Sequence, residues 1–149
     1  MNRDWADVLE ALQRHGARFL VVGAHAVAVH GIPRGTQGMD VWVDPLVENA
    51  GSVWRALVDF GAPLESIDVS VDDFSRSDSV VQIGLPPHRV DVLTSISGVA
   101  SFDEAWERRV LAEVGGMSVP VLGRGDLLAN KRASGRTKDV ADLEAMGES

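Results

Sequence analysis

Residues 19–44 read FLVVGAHAVAVHGIPRGTQGMDVWVD. The apolar run that begins it ends at Gly23, as a buried strand entering a turn does. An alanine-rich segment between Gly23 and Gly31 reads as a short buried helix. Turn-forming residues fill the stretch up to Gly38. MDVWVD then alternates as a strand should, with Met39, Val41 and Val43 on one face and Asp40, Trp42 and Asp44 on the other. Position 38 stands two residues before Asp40 on the same face, where a second metal-binding carboxylate would belong, and it is a glycine.

The pattern extends in both directions. Upstream, Trp5, Val8, Leu9 and Leu12 share one helix face that Gly16 closes. Downstream, LVENAGSVWRALVDFG predicts an amphipathic helix ended by Gly61. SVVQIGLPPHRVDVLTSI predicts two strands around Pro86-Pro87-His88, with Arg89, Asp91 and Leu93 on one face of the second arm. A short helix follows Ser101, which has Glu104 three residues on, the capping-box spacing. A second hairpin turns at Gly115-Gly116. A helix from near Asp126 breaks at Ser134-Gly135, and a last helix starts at about Thr137. The expected fold is α/β (α+β): a mixed sheet with flanking helices and a C-terminal helical pair, without the repeated βαβ rhythm of a doubly wound fold. No repeat or linker divides residues 1–149, so one domain is expected.

Composition narrows the class. The chain has 149 residues, 45% hydrophobic and 24% charged, as one globular domain does. It has no cysteine, which excludes thiolate metal sites and disulfides and suggests a cytoplasmic location. The charged N-terminal stretch lacks the apolar run of a signal peptide, and no apolar stretch is long enough to span a bilayer. A net charge of −8 argues against a surface that coats nucleic acid, although basic residues gather in RGDLLANKRASGRTK.

Asp40 and Asp91 are each flanked by apolar residues on a predicted strand. A single such Asp is most simply part of a solvated face. Two are harder to dismiss, because Asp is depleted in strands. On neighbouring strands the pair would converge on a cation that takes oxygen ligands, such as magnesium with a substrate phosphate. The strand-to-helix turn at Gly23 would add backbone N–H groups that favour phosphate.

These features resemble the nucleotidyltransferase superfamily typified by DNA polymerase beta. Val22-Gly23-Ala24, a thirteen-residue spacer, Gly38-Met39-Asp40 and then Asp91 fall on its motif. HGIPRGT, VWVDP, RVDVLTSI and LLANKRASGRTKDVADLE resemble a bacterial subgroup of small stand-alone members, some related to abortive-infection toxins. The resemblance implies magnesium-dependent transfer of a nucleoside monophosphate from a triphosphate to an RNA, tRNA or protein hydroxyl. It implies Asp40 and Asp91 as catalytic, metal-holding carboxylates. Gly23, Ala24, Arg34, Thr36 and Lys131 would be nucleotide-binding residues. A toxin–antitoxin setting, a cognate partner protein or a homodimer is implied by the resemblance alone.

Two positions depart from the motif. Ala24 stands where the family has Gly or Ser, a mild change because backbone N–H groups make the phosphate contact. Gly38 stands where the family has the Asp that bridges two magnesium ions. Asp44 is no substitute, since four residues along a strand span roughly 13 Å at ~3.3 Å each. Transfer is therefore expected to be impaired, and restoring Asp at 38 to raise metal affinity and activity. The alternative is a degenerate domain that binds nucleotide or a partner without chemistry, and a plain scaffold is a third.

Other candidates read more simply. His25 and His30 are five apart, so they read as buried or wall residues and not as a zinc pair. His88 is expected at an exposed turn. Arg136, Lys138, Asp139 and Asp142 fall in GRTKDVADLE, where Lys138 and Asp142 have the spacing of a surface i,i+4 pair, and Asp139 and Asp142 fit a charged helix that locks the C-terminus. The four tryptophans read as core or interface, with Trp42 singled out because it shares a face with Asp40.

Overall fold

The computed structural model describes residues 2–148. Helix α1 spans Arg3–Arg14, where the Asn2 side chain accepts from the Asp4 and Trp5 amides at 2.8 and 3.4 Å. Strand β1 (Phe19–Val22) leads into α2 (Gly23–Val29), and β2 covers Gly38–Val43. Helix α3 runs Val47–Phe60 and stops at Gly61. Strands β3 (Val80–Ile83) and β4 (Arg89–Leu93) form the first hairpin. Helix α4 (Phe102–Glu107) is capped by Ser101, which accepts from the Glu104 amide at 3.1 Å. Strands β5 (Val110–Val114) and β6 (Met117–Val121) form the second hairpin, before α5 (Arg124–Ser134) and α6 (Thr137–Ala145).

Among the described residues six strands make one sheet in the order β3-β4-β2-β1-β6-β5. The two hairpins supply its edges. In the middle β1 is antiparallel to β2 and parallel to β6, and β2 is parallel to β4. This is the mixed sheet with flanking helices and a C-terminal helical pair that the sequence predicts. Among the described residues no helix is long and apolar enough to cross a membrane.

Central strand β2 is covered on both faces. Met39, Val41 and Val43 are buried on one, and Trp42 and Asp44 on the other. Trp42 meets Phe102 edge-on at 5.1 Å, which makes it a core residue. Helices α1 and α3 pack on each other and bury Leu9, Leu12, Val53 and Leu57. A 3-10 turn over Val71–Phe74, which apolar periodicity did not reveal, drives Phe74 into the core beside Trp54. Its sequence signal is Ser70 with Asp73 three residues on: the Asp73 carboxylate accepts from the Ser70 amide at 2.8 Å.

Candidate nucleotide-binding site

The parallel β2–β4 ladder pairs Asp40 with Asp91 and, two residues earlier, Gly38 with Arg89. Because the spacing is two on both strands, all four positions share one face. The antiparallel β1–β2 ladder sets Val22 against Asp40, so Gly23 lies beside the same carboxylate. Both aspartates therefore meet at one end of the sheet, on a cavity of about 550 Å³ that α5 and α6 also line.

Gly23 is required there twice over. Its φ of +67° is one that side chains rarely adopt, and an added Cβ would lie 2.3 Å from Asp40 Oδ2. Ala24 lines the cavity beside it. Thr36 braces the loop: its hydroxyl donates to the Gly38 carbonyl at 2.8 Å and accepts from the Gly38 amide at 3.2 Å.

Burial pushes Asp40 up, the Asp91 charge and a shared hydrogen bond add to this, and Lys138 and Arg89 offset only part, leaving its pKa at about 6. A carboxyl raised above its unfolded value stabilises the fold fully below about pH 4, and that contribution is lost as pH rises through about 6. Asp40→Asn is therefore expected to raise stability of the metal-free protein at pH 8 by on the order of 2 kcal/mol, with the gain vanishing at pH 4. Denaturation in EDTA across that range is the check. An equal gain at both ends would mean that the carboxylate is not under strain.

Arg89 fills the place that the glycine leaves. A Cβ on Gly38 would lie 3.4 Å from both Nε and Nη2 of Arg89 and 3.3 Å from its carbonyl oxygen. Arg89 Nε also stands 3.2 Å from Asp91 Oδ1. Two facing carboxylates, one of them beside a guanidinium, fall short of the ligands a two-ion centre needs. Among the described residues no group of three or more His, Cys, Asp or Glu is placed to hold an ion. The pair could hold a single ion.

Lys131, Arg34 and Arg136 form the far wall. Lys131 Nζ lies 3.1 Å from both Asp139 Oδ1 and Asp142 Oδ2, and all three residues are buried. Arg34 also pairs with Asp142, and Arg136 Nε meets Asp139 Oδ2 at 2.8 Å. Asp142 thus faces Lys131 and Arg34, where the sequence reading had paired it with Lys138. Burial would raise Asp139, but hydrogen bonds from Arg136 and Lys131 outweigh it and hold the carboxyl below its ordinary range. Lys138 lines the cavity and is exposed.

Sequence reasoning missed Arg89, Arg136 and Lys138 as lining groups. For Arg89 the signal was present, since it shares the Asp91 face and precedes it by two. Asp44 lies at the other end of β2 and pairs with Arg18 at 3.0 Å. His25 meets Trp5 edge-on at 4.8 Å, and His30 Nε2 lies 2.8 Å from the Leu122 carbonyl, so both are held within the fold and neither lines the cavity. His88 is exposed beside Asp4 at 3.2 Å.

No family model and no curated protein matches the sequence. Solved structures do match its fold. A candidate nucleotidyltransferase from Thermotoga maritima superposes with a TM-score of 0.62 at 18% identity, covering 96% of this chain and 89% of that one. The lincosamide antibiotic adenylyltransferase LnuA, solved with lincomycin bound, gives 0.65 at 12% identity over 99% and 96%. At these identities the likeness establishes the fold: the chain has the nucleotidyltransferase fold.

Proposed function

We propose that the cleft binds a nucleoside triphosphate and that the protein transfers its nucleoside monophosphate to a hydroxyl of RNA or protein, slowly because of Gly38. The observation that carries this reading is Asp40 beside Asp91 on adjacent parallel strands, facing a cavity rich in cations. In such a transfer the acceptor oxygen bonds to the α-phosphorus, the α–β bridging P–O bond breaks, and pyrophosphate leaves. Asp91 would take the acceptor proton. Asp40 and Asp91 would hold one magnesium ion, which supplies positive charge at the transferred group. Gly23 and Ala24 leave room for the phosphates, and Thr36 holds the loop that carries Gly38.

A second reading, nucleotide or partner binding without chemistry, is favoured by the Arg89 guanidinium lying over Gly38. One experiment separates the two. Each labelled triphosphate is incubated with magnesium or manganese and with total RNA, cell protein or lincomycin as acceptor. Label incorporated by the parent and reduced ~10²-fold or more in Asp91→Asn supports transfer. Triphosphate that binds without any incorporation supports the second reading.

A further inference from the structure

The quartet on β2 and β4 has a consequence for charge. A site built around two divalent ions presents an excess of carboxylates and is completed by the ions. This cleft is already cationic. Among the described residues five cationic side chains line it against three carboxylates, in a chain whose net charge is −8. Counting Asp139, which lies behind the wall, cations still exceed carboxylates. Most of these cations are engaged: Lys131, Arg34 and Arg136 each face a buried aspartate.

Arg89 is different. Its Nε approaches Asp91 at 3.2 Å without hydrogen-bond geometry, and neither terminal nitrogen is hydrogen-bonded among the described residues. Its side chain is about one-third exposed, at 36%. The guanidinium lies over the Gly38 backbone, in the volume that a side chain at 38 would need. The N–H groups of the two terminal nitrogens, in a planar fork, suit the oxygens of a phosphate chain. Lys138, exposed on the opposite wall, adds a second cation near Asp40.

We propose that this cleft binds the polyphosphate of a nucleoside triphosphate without a divalent cation, with the Arg89 guanidinium supplying the positive charge. The inference rests on the nucleotide reading above and adds to it that binding and metal loading are separable. The Arg89 side chain is partly exposed, and its carbonyl, which accepts from Trp5 Nε1 at 3.1 Å, stays in place when the side chain is changed.

The test is calorimetric titration with ATP, GTP, CTP, UTP and inorganic tripolyphosphate, in EDTA and in magnesium, for the parent, Arg89→Gln and Arg89→Lys. The parent is expected to bind at least one triphosphate in EDTA within about threefold of its affinity in magnesium. Arg89→Gln should weaken binding in EDTA by about tenfold or more and regain part of it in magnesium, while Arg89→Lys stays closer to the parent. Parent binding that appears only with magnesium would overturn the inference and leave the nucleotide site standing. An Arg89→Gln variant that binds in EDTA as the parent does would overturn the role of Arg89. No binding in either condition would overturn the nucleotide reading itself.

Discussion

Lys131→Ala is expected to destabilise the protein by about 3–5 kcal/mol, the usual cost of leaving a buried charge without its partner. The reason is the arrangement behind the cleft. Asp139 and Asp142 are almost wholly buried, and Lys131 stands 3.1 Å from each. Arg34 and Arg136 lie on the more exposed side and neutralise the pair only in part. For a chain of this size the loss corresponds to a fall in Tm of roughly 10–15 °C. Its pH dependence follows from Asp139, whose depressed pKa stabilises the fold above about pH 4 and ceases to do so as the carboxyl is protonated. The deficit of Lys131→Ala should therefore shrink in acid. A Tm within a few degrees of the parent at pH 7, with nucleotide binding lost, would instead make Lys131 the phosphate contact that the family resemblance implies.

The second large effect concerns Gly38. From sequence alone, Gly38→Asp would be expected to restore the missing ligand. The structure shows that the new carboxylate would arrive against the Arg89 guanidinium. An arginine beside it would neutralise the charge that the metal needs, so Gly38→Asp alone should gain little. Gly38→Asp together with Arg89→Gln should transfer label ~10²-fold faster than the single variant, the scale associated with one well-placed electrostatic group. Nucleotide binding by the double variant should also become dependent on magnesium. If Gly38→Asp alone matches the double variant, Arg89 is not the obstacle.

The elements were legible because their punctuation is local. Gly16, Gly61 and Gly135 end helices where apolar periodicity stops, and Pro86-Pro87 and Gly115-Gly116 turn the two hairpins. The 3-10 turn at Val71–Phe74 was not legible, because one turn is too short to show a period and Phe74 is anchored by a distant contact with Trp54. The pairing of Asp40 with Asp91 was anticipated, since each sits at the same place in an alternating strand. The partners of Lys131 and Asp142 were not. They join across the junction of α5 and α6, and helical spacing alone favours the wrong neighbour, Lys138. Arg89 lay in plain view on the Asp91 face, but its position over Gly38 depends on the β2–β4 register, which is a tertiary fact.

The contact between Arg34 and Asp142 joins the loop before β2 to α6, two elements far apart along the chain. During synthesis β1, α2 and β2 leave the ribosome well before α6, and Arg34 waits without that counter-charge until α6 has followed. The half of the cleft that carries Asp40 is thus made before its closing wall. A chain released before its final helix would carry the opening motif intact and have no closed pocket to place it in.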